Sequence, residues 1–73
     1  MELWRRLSVR GIAATMWRER VEGRWRYDIT RDRGCAVEPA SCLYGSSRAA
    51  YLGFLQDHER EIAVHTERKA VRP

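Results

Sequence analysis

"IAATMWRERVEGRWRYDITR", Ile12–Arg31, is the stretch that decides the fold. Ile12–Arg20 and Arg24–Arg31 each alternate in character with a period of two, which is the signature of a strand. Between them "VEGR" places Gly23 where a tight turn needs a positive φ. Setting Arg20 opposite Trp25 fixes the register: Arg18 faces Tyr27, Met16 faces Ile29 and Ala14 faces Arg31. On the other face Glu19 lies opposite Arg26, an opposite-charge pair that favours this register, with Trp17 opposite Asp28 and Thr15 opposite Thr30. One face then carries Ile12, Ala14, Met16, Trp25, Tyr27 and Ile29 and is assigned to the core, with Arg18 and Arg20 at its rim. The other carries Thr15, Trp17, Glu19, Val21, Arg24, Arg26, Asp28 and Thr30, and is expected to face water.

Outward from the hairpin, "RDRG" reads as a second turn and "CAVE" as a third strand, ended by Pro39. Cys42–Tyr44 can add a short pairing. Ser46 or Ser47 is the expected N-cap of a helix over residues 46–66, with Tyr51, Leu52, Leu55, His58 and Ile62 on its apolar face. Gly53 within it marks close approach to the sheet, and Glu61 and His65 stand one turn apart. "IAVH" at 62–65 has a competing reading as a fourth short strand. Residues 1–10, with Leu3, Trp4 and Leu7, read as one helical turn or an arm across the sheet, and residues 67–73 as a fraying tail. The expected architecture is a single α+β domain over residues 1–73, β-β-β-α, in which an antiparallel sheet of about three strands (12–44) lies on one C-terminal helix.

With 73 residues, the chain has room for one core and a binding surface rather than a deep catalytic pocket. The formal charge is +4, and all of that excess lies in residues 1–33, where nine arginines meet five acids. Residues 34–73 balance at five of each sign. Such lopsided charge draws a domain toward an acidic partner, or else merely covers a thin sheet with long amphipathic stems. Thirteen of the fourteen basic residues are arginine, the better residue for bidentate phosphate contacts, although a GC-rich genome gives the same bias. "MELWRRLSVRG" has no continuous apolar run and no stretch approaches the roughly 20 residues of a membrane span, so a cytoplasmic protein without membrane contact is expected.

Catalytic and metal chemistry find little support. Cys35 and Cys42, like His58 and His65, are seven apart, outside the usual zinc-ligand spacings, and both cysteines are read as reduced, half-buried residues. No phosphate-cradling glycine loop or nucleophile elbow is present, so neither enzyme activity nor a metal or cofactor is assigned. The basic outer face is the stronger candidate. A sheet ribbon is narrow enough for the major groove. Arg24 and Arg26 on the outer face, with Thr15 and Thr30 beside them, and Arg31 and Arg33 at the far turn offer contacts to phosphate or bases. Against this, Glu19, Glu22 and Asp28 would repel phosphate. Trp17 on that face could stack on a base or wedge into a step, and DNA is favoured over RNA as the partner. The rival reading is a protein-interaction module, a homodimer or a small inhibitor of a larger bacterial or phage complex, with Trp17, Val21 and Trp4 as anchors. Salt dependence separates the two.

"GRWRYDI", a turn, a strand and then "YGSSRAAYLGFLQDHE" resemble the YegP-like family of small bacterial domains, with Tyr44, Ser46, Ser47, Arg48, Ala49, Ala50 and Gly53 in the positions that open the helix. That resemblance covers about 35 residues and implies a strand–strand–strand–helix fold rather than an activity. The same order is similar in shape to the arm-type DNA-binding domains at the front of phage integrases, in which a three-stranded sheet backed by one helix enters DNA.

Overall fold

A computed structural model describes residues 1–34 and 37–70, with the side chains of 68–70 left aside. Three antiparallel strands, β1 (Glu2–Val9), β2 (Ile12–Val21) and β3 (Arg24–Arg31), form one open sheet in the order β1-β2-β3. Two helices follow, α1 (Ser47–Asp57) and α2 (Glu59–Ala70). The α+β, three-strands-then-helix architecture expected from the sequence is therefore present. No helix is long and apolar enough to cross a membrane among the described residues.

The β2–β3 hairpin has the register read from the sequence at every position, from Ala14 opposite Arg31 to Arg20 opposite Trp25. Its turn is tight because Glu22 and Gly23 both take positive φ, 51° and 76°, matching the right-handed twist of the strands. The strand count agrees with expectation, but the remaining strand is not the expected one. Residues 1–10 are neither a helical turn nor an arm across the sheet: Glu2–Val9 form β1, joined to β2 by an equivalent turn at Arg10 and Gly11, with φ of 54° and 89°. A bulge between Leu3 and Arg5 inserts Trp4 and breaks the alternation that would have identified the strand. Of the "CAVE" segment, Cys35 and Ala36 lie outside the described residues, and Val37 and Glu38 take no strand pairing. Tyr44 makes the short pairing, exchanging backbone hydrogen bonds of 2.7 and 3.0 Å with Tyr27 at the β3 edge.

The core lies between one sheet face and α1. Val9, Ile12, Ala14, Met16 and Ile29 meet Ala50 and Phe54, with Leu7, Tyr27, Tyr44, Tyr51, Leu55 and Ile62 half-buried around them. The apolar face of α1 is turned from the expected one: Leu52 points to solvent, and Phe54 fills the core in its place. Ser46 caps the helix, its Oγ accepting from the Ala49 N–H at 3.1 Å. The single expected helix is broken at His58, where φ is −113° and ψ 22°, and 62–65 continue as helix rather than strand. Helix also runs through Ala70, past the expected fraying point; residues 71–73 lie outside the described residues. Instead of pairing with His65, Glu61 pairs with Arg31, joining α2 to the end of β3.

Gly53 is packed against the Tyr44 ring so closely that a Cβ would collide with the phenol. Gly53→Ala raises helix propensity by about 1 kcal/mol. The collision outweighs it, because the half-buried Tyr44 ring is packed against the core and its backbone is bridged to Tyr27. A net loss of about 1–2 kcal/mol is expected in urea melts, as for an overpacked core site. A gain in stability would show that the Tyr44 ring swings away freely.

Candidate nucleic-acid interface

Strand alternation sends Thr15, Trp17, Glu19 and Val21 of β2, and Arg24, Arg26, Asp28 and Thr30 of β3, to the face away from the helices. The sequence leaves this face to water, and the structure corrects that expectation at its centre. Thr15 is fully buried and its hydroxyl donates to Asp32 Oδ1 at 2.7 Å. Trp17 is only 8% exposed, and its indole N–H donates to Thr30 Oγ1 at 2.7 Å. The segment returning toward Tyr44 comes over the sheet here: the Cys42 N–H donates to Glu19 Oε1 at 3.1 Å, and Cys42 is buried. Withdrawal from water pushes the Cys42 thiol up to about 11, and the neighbouring Glu19 and Asp28 carboxylates add to that. Asp28 is itself raised, first by burial and then by repulsion from Asp57, against a lowering hydrogen bond from the Ile29 N–H at 2.8 Å.

Trp17 is thus a covered structural residue and cannot stack on a base or wedge into a step in this state. Thr30 is engaged by the Trp17 indole. Arg31 is also withdrawn: it lies on the helix-side face in an ion pair with Glu61. Arg33 is exposed just beyond β3. Arg24 and Arg31 are the two ends of β3, which at 3.3 Å per residue puts about 23 Å between them. The four expected arginines therefore do not form one patch.

Arg24 and Arg26 do stand together. Both are exposed, two residues apart on one face of β3, and with Val21 and Glu22 they line a shallow groove of about 550 Å³. The Arg26–Glu19 register is as read, yet Glu19 turns its carboxylate to the Cys42 N–H. Among the described residues, the ion pairs are Arg18–Glu2 and Arg31–Glu61, so neither Arg24 nor Arg26 is neutralised by a carboxylate. Of the anchors proposed for a protein partner, Val21 is 42% exposed, while Trp17 is covered and Trp4 is half-buried against Tyr27 at a ring-centroid distance of 5.4 Å.

The helix-side face of the same sheet end carries arginines interleaved with indoles. The Arg18 guanidinium lies over the Trp25 ring at 4.3 Å and over the Trp4 ring at 5.3 Å. Arg20 lies over Trp25 at 5.5 Å and Arg5 over Trp4 at 4.9 Å. The facing of Arg20 and Trp25 was legible in the hairpin register. Trp4 and Arg5 could not be placed beside them until β1 was known to be a strand.

The histidines are separated from this end of the sheet. His58 stacks on Phe54 at 4.1 Å, and His65 lies against Gly11. No cluster of three metal-ligating side chains occurs among the described residues. Comparison with known proteins gives no match: no family model, no curated protein and no solved structure is significantly similar to this chain.

Proposed function

We propose that this chain is a small non-enzymatic module that binds nucleic acid, DNA ahead of RNA, through the β2–β3 hairpin end of its sheet. The observation carrying this reading is the adjacent pair Arg24 and Arg26, exposed and unneutralised among the described residues. Two guanidinium groups at the spacing of alternate strand residues can each hold a phosphate, or read a guanine edge bidentately. Two acids stand against this reading: Glu22 lines the same groove, and Glu19 keeps its charge while accepting from the Cys42 N–H, whereas Glu2 is offset by Arg18. The rival protein-interaction reading keeps Val21 as an exposed anchor but loses Trp17 to the interior. Pairing of a second copy along β1 is disfavoured by Glu2, Arg5, Arg6 and the bulge at Trp4, the devices that blunt a sheet edge.

The test is fluorescence anisotropy of labelled random duplex DNA, single-stranded DNA and RNA at low and moderate salt. Affinity is expected to fall log-linearly with salt. Arg24→Ala with Arg26→Ala should reduce the duplex slope by about 1.8, because two phosphates are no longer neutralised. No binding to any of the three at low salt refutes the reading. A salt-insensitive self-association in light scattering would instead favour the homodimer.

A further inference from the structure

The Arg–Trp arrangement on the helix-side face has a definite order: Arg5, Trp4, Arg18, Trp25, Arg20, each guanidinium within 5.5 Å of an indole centroid. These are cation–π distances. Arg18 sits between both indoles and is further fixed by its Nε donating to Glu2 Oε1 at 2.9 Å. Arg5 and Arg20 end the ladder. Each is exposed and lies over one indole only. A shallow recess of about 260 Å³, bounded by Met1, Glu2, Arg18, Glu19, Arg20 and Trp25, lies beside the Arg20 end.

We propose that this ladder is a preformed seat for an unpaired nucleic-acid segment, distinct from the Arg24–Arg26 surface on the opposite face. The inference rests on the nucleic-acid reading above and names the form of nucleic acid. Arg18, paired with Glu2, fixes the row, and the exposed Arg5 and Arg20 at its two ends are left to meet phosphate. Guanidinium groups already held over indoles meet phosphate with less rotamer freedom left to lose. The terminal guanidinium faces turned away from Trp4 and Trp25 can take a base in plane-to-plane contact. Only an unpaired base offers its face, because in a duplex both faces are stacked. A duplex would find phosphate-binding charge here but no use for the ladder's ends.

The experiment compares a labelled 20-nucleotide thymidine oligomer with a labelled 20-base-pair duplex, by anisotropy, on full-length variants whose melting curves are recorded alongside. The wild-type chain is expected to prefer the oligomer. Arg5→Gln with Arg20→Gln should weaken oligomer binding about tenfold, the size of losing a base stack, and lower its salt slope by about 1.4, while duplex affinity falls less, through the lost charge alone. Arg5→Lys with Arg20→Lys keeps the charge and the stems but not the planar face. It should keep the salt slope and still lose the preference for the oligomer, and it also serves if the glutamine pair melts early. Lysine variants that bind the oligomer like wild type overturn the stacking claim. Binding that falls with Arg24→Ala and Arg26→Ala but ignores both ladder pairs overturns the ladder and leaves the nucleic-acid reading standing. Absence of binding to either probe overturns both together.

Discussion

Trp17→Ala is expected to unfold most of the chain at 37 °C. Truncating a buried Trp costs about 3–5 kcal/mol. A core in a chain of this size supplies about the same net stability. The loss has a definite anatomy: the indole is 8% exposed between strands β1 and β3, and its N–H holds Thr30 Oγ1 at 2.7 Å. The segment around Cys42 meets the same face two residues further along β2, where its N–H donates to Glu19. Trp17→Phe keeps most of the apolar area and loses the hydrogen bond, so a smaller cost of about 1–2 kcal/mol is expected. Circular dichroism and urea melts of both variants decide the matter. An alanine variant as stable as wild type would mean that Trp17 is not covered in solution, and would return it to the residues able to meet a partner.

The second large effect separates Phe54 from Leu52. Phe54→Ala should cost about 3–5 kcal/mol, since Phe54 is 3% exposed, belongs to the buried cluster with Ile12, Met16 and Ile29, and stacks on His58. Leu52→Ala should change stability by about 0.5 kcal/mol or less, because Leu52 is 52% exposed. Thermal melts of the two variants side by side test the rotation of α1 directly. Equal costs would place the helix in the phase its sequence periodicity suggests, with Leu52 against the sheet.

That rotation shows where sequence reasoning weakened. Tyr51, Leu55, His58 and Ile62 were legible as one face, and all four are half-buried. Leu52 and Phe54 differ by two positions, and either fits an apolar stripe through Tyr51 and Leu55. The choice depends on where Gly53 can approach Tyr44, a contact between distant parts of the chain. At the candidate interface, Arg24 and Arg26 were legible as exposed because alternation on β3 settles it. The register opposite Ala14 already turns Arg31 to the helix side, but the ion pair that withdraws it from a partner is not legible, because Glu61 is thirty residues away.

The β2–β3 register, the turn at Glu22 and Gly23, a helix cap at Ser46 or Ser47 and the gathering of positive charge in the first 33 residues follow from the local sequence alone. These are short-range matters of φ preference, side-chain alternation and composition, and they act within a few residues of where they are written. The tertiary structure alone decided that residues 2–9 are the third strand, that the face around Thr15 and Trp17 is covered, and that Arg5, Trp4, Arg18, Trp25 and Arg20 stand in one row. Each of those depends on which distant segment comes to lie beside which. A bulge at Trp4 hides the first from local periodicity, and no local pattern records the other two.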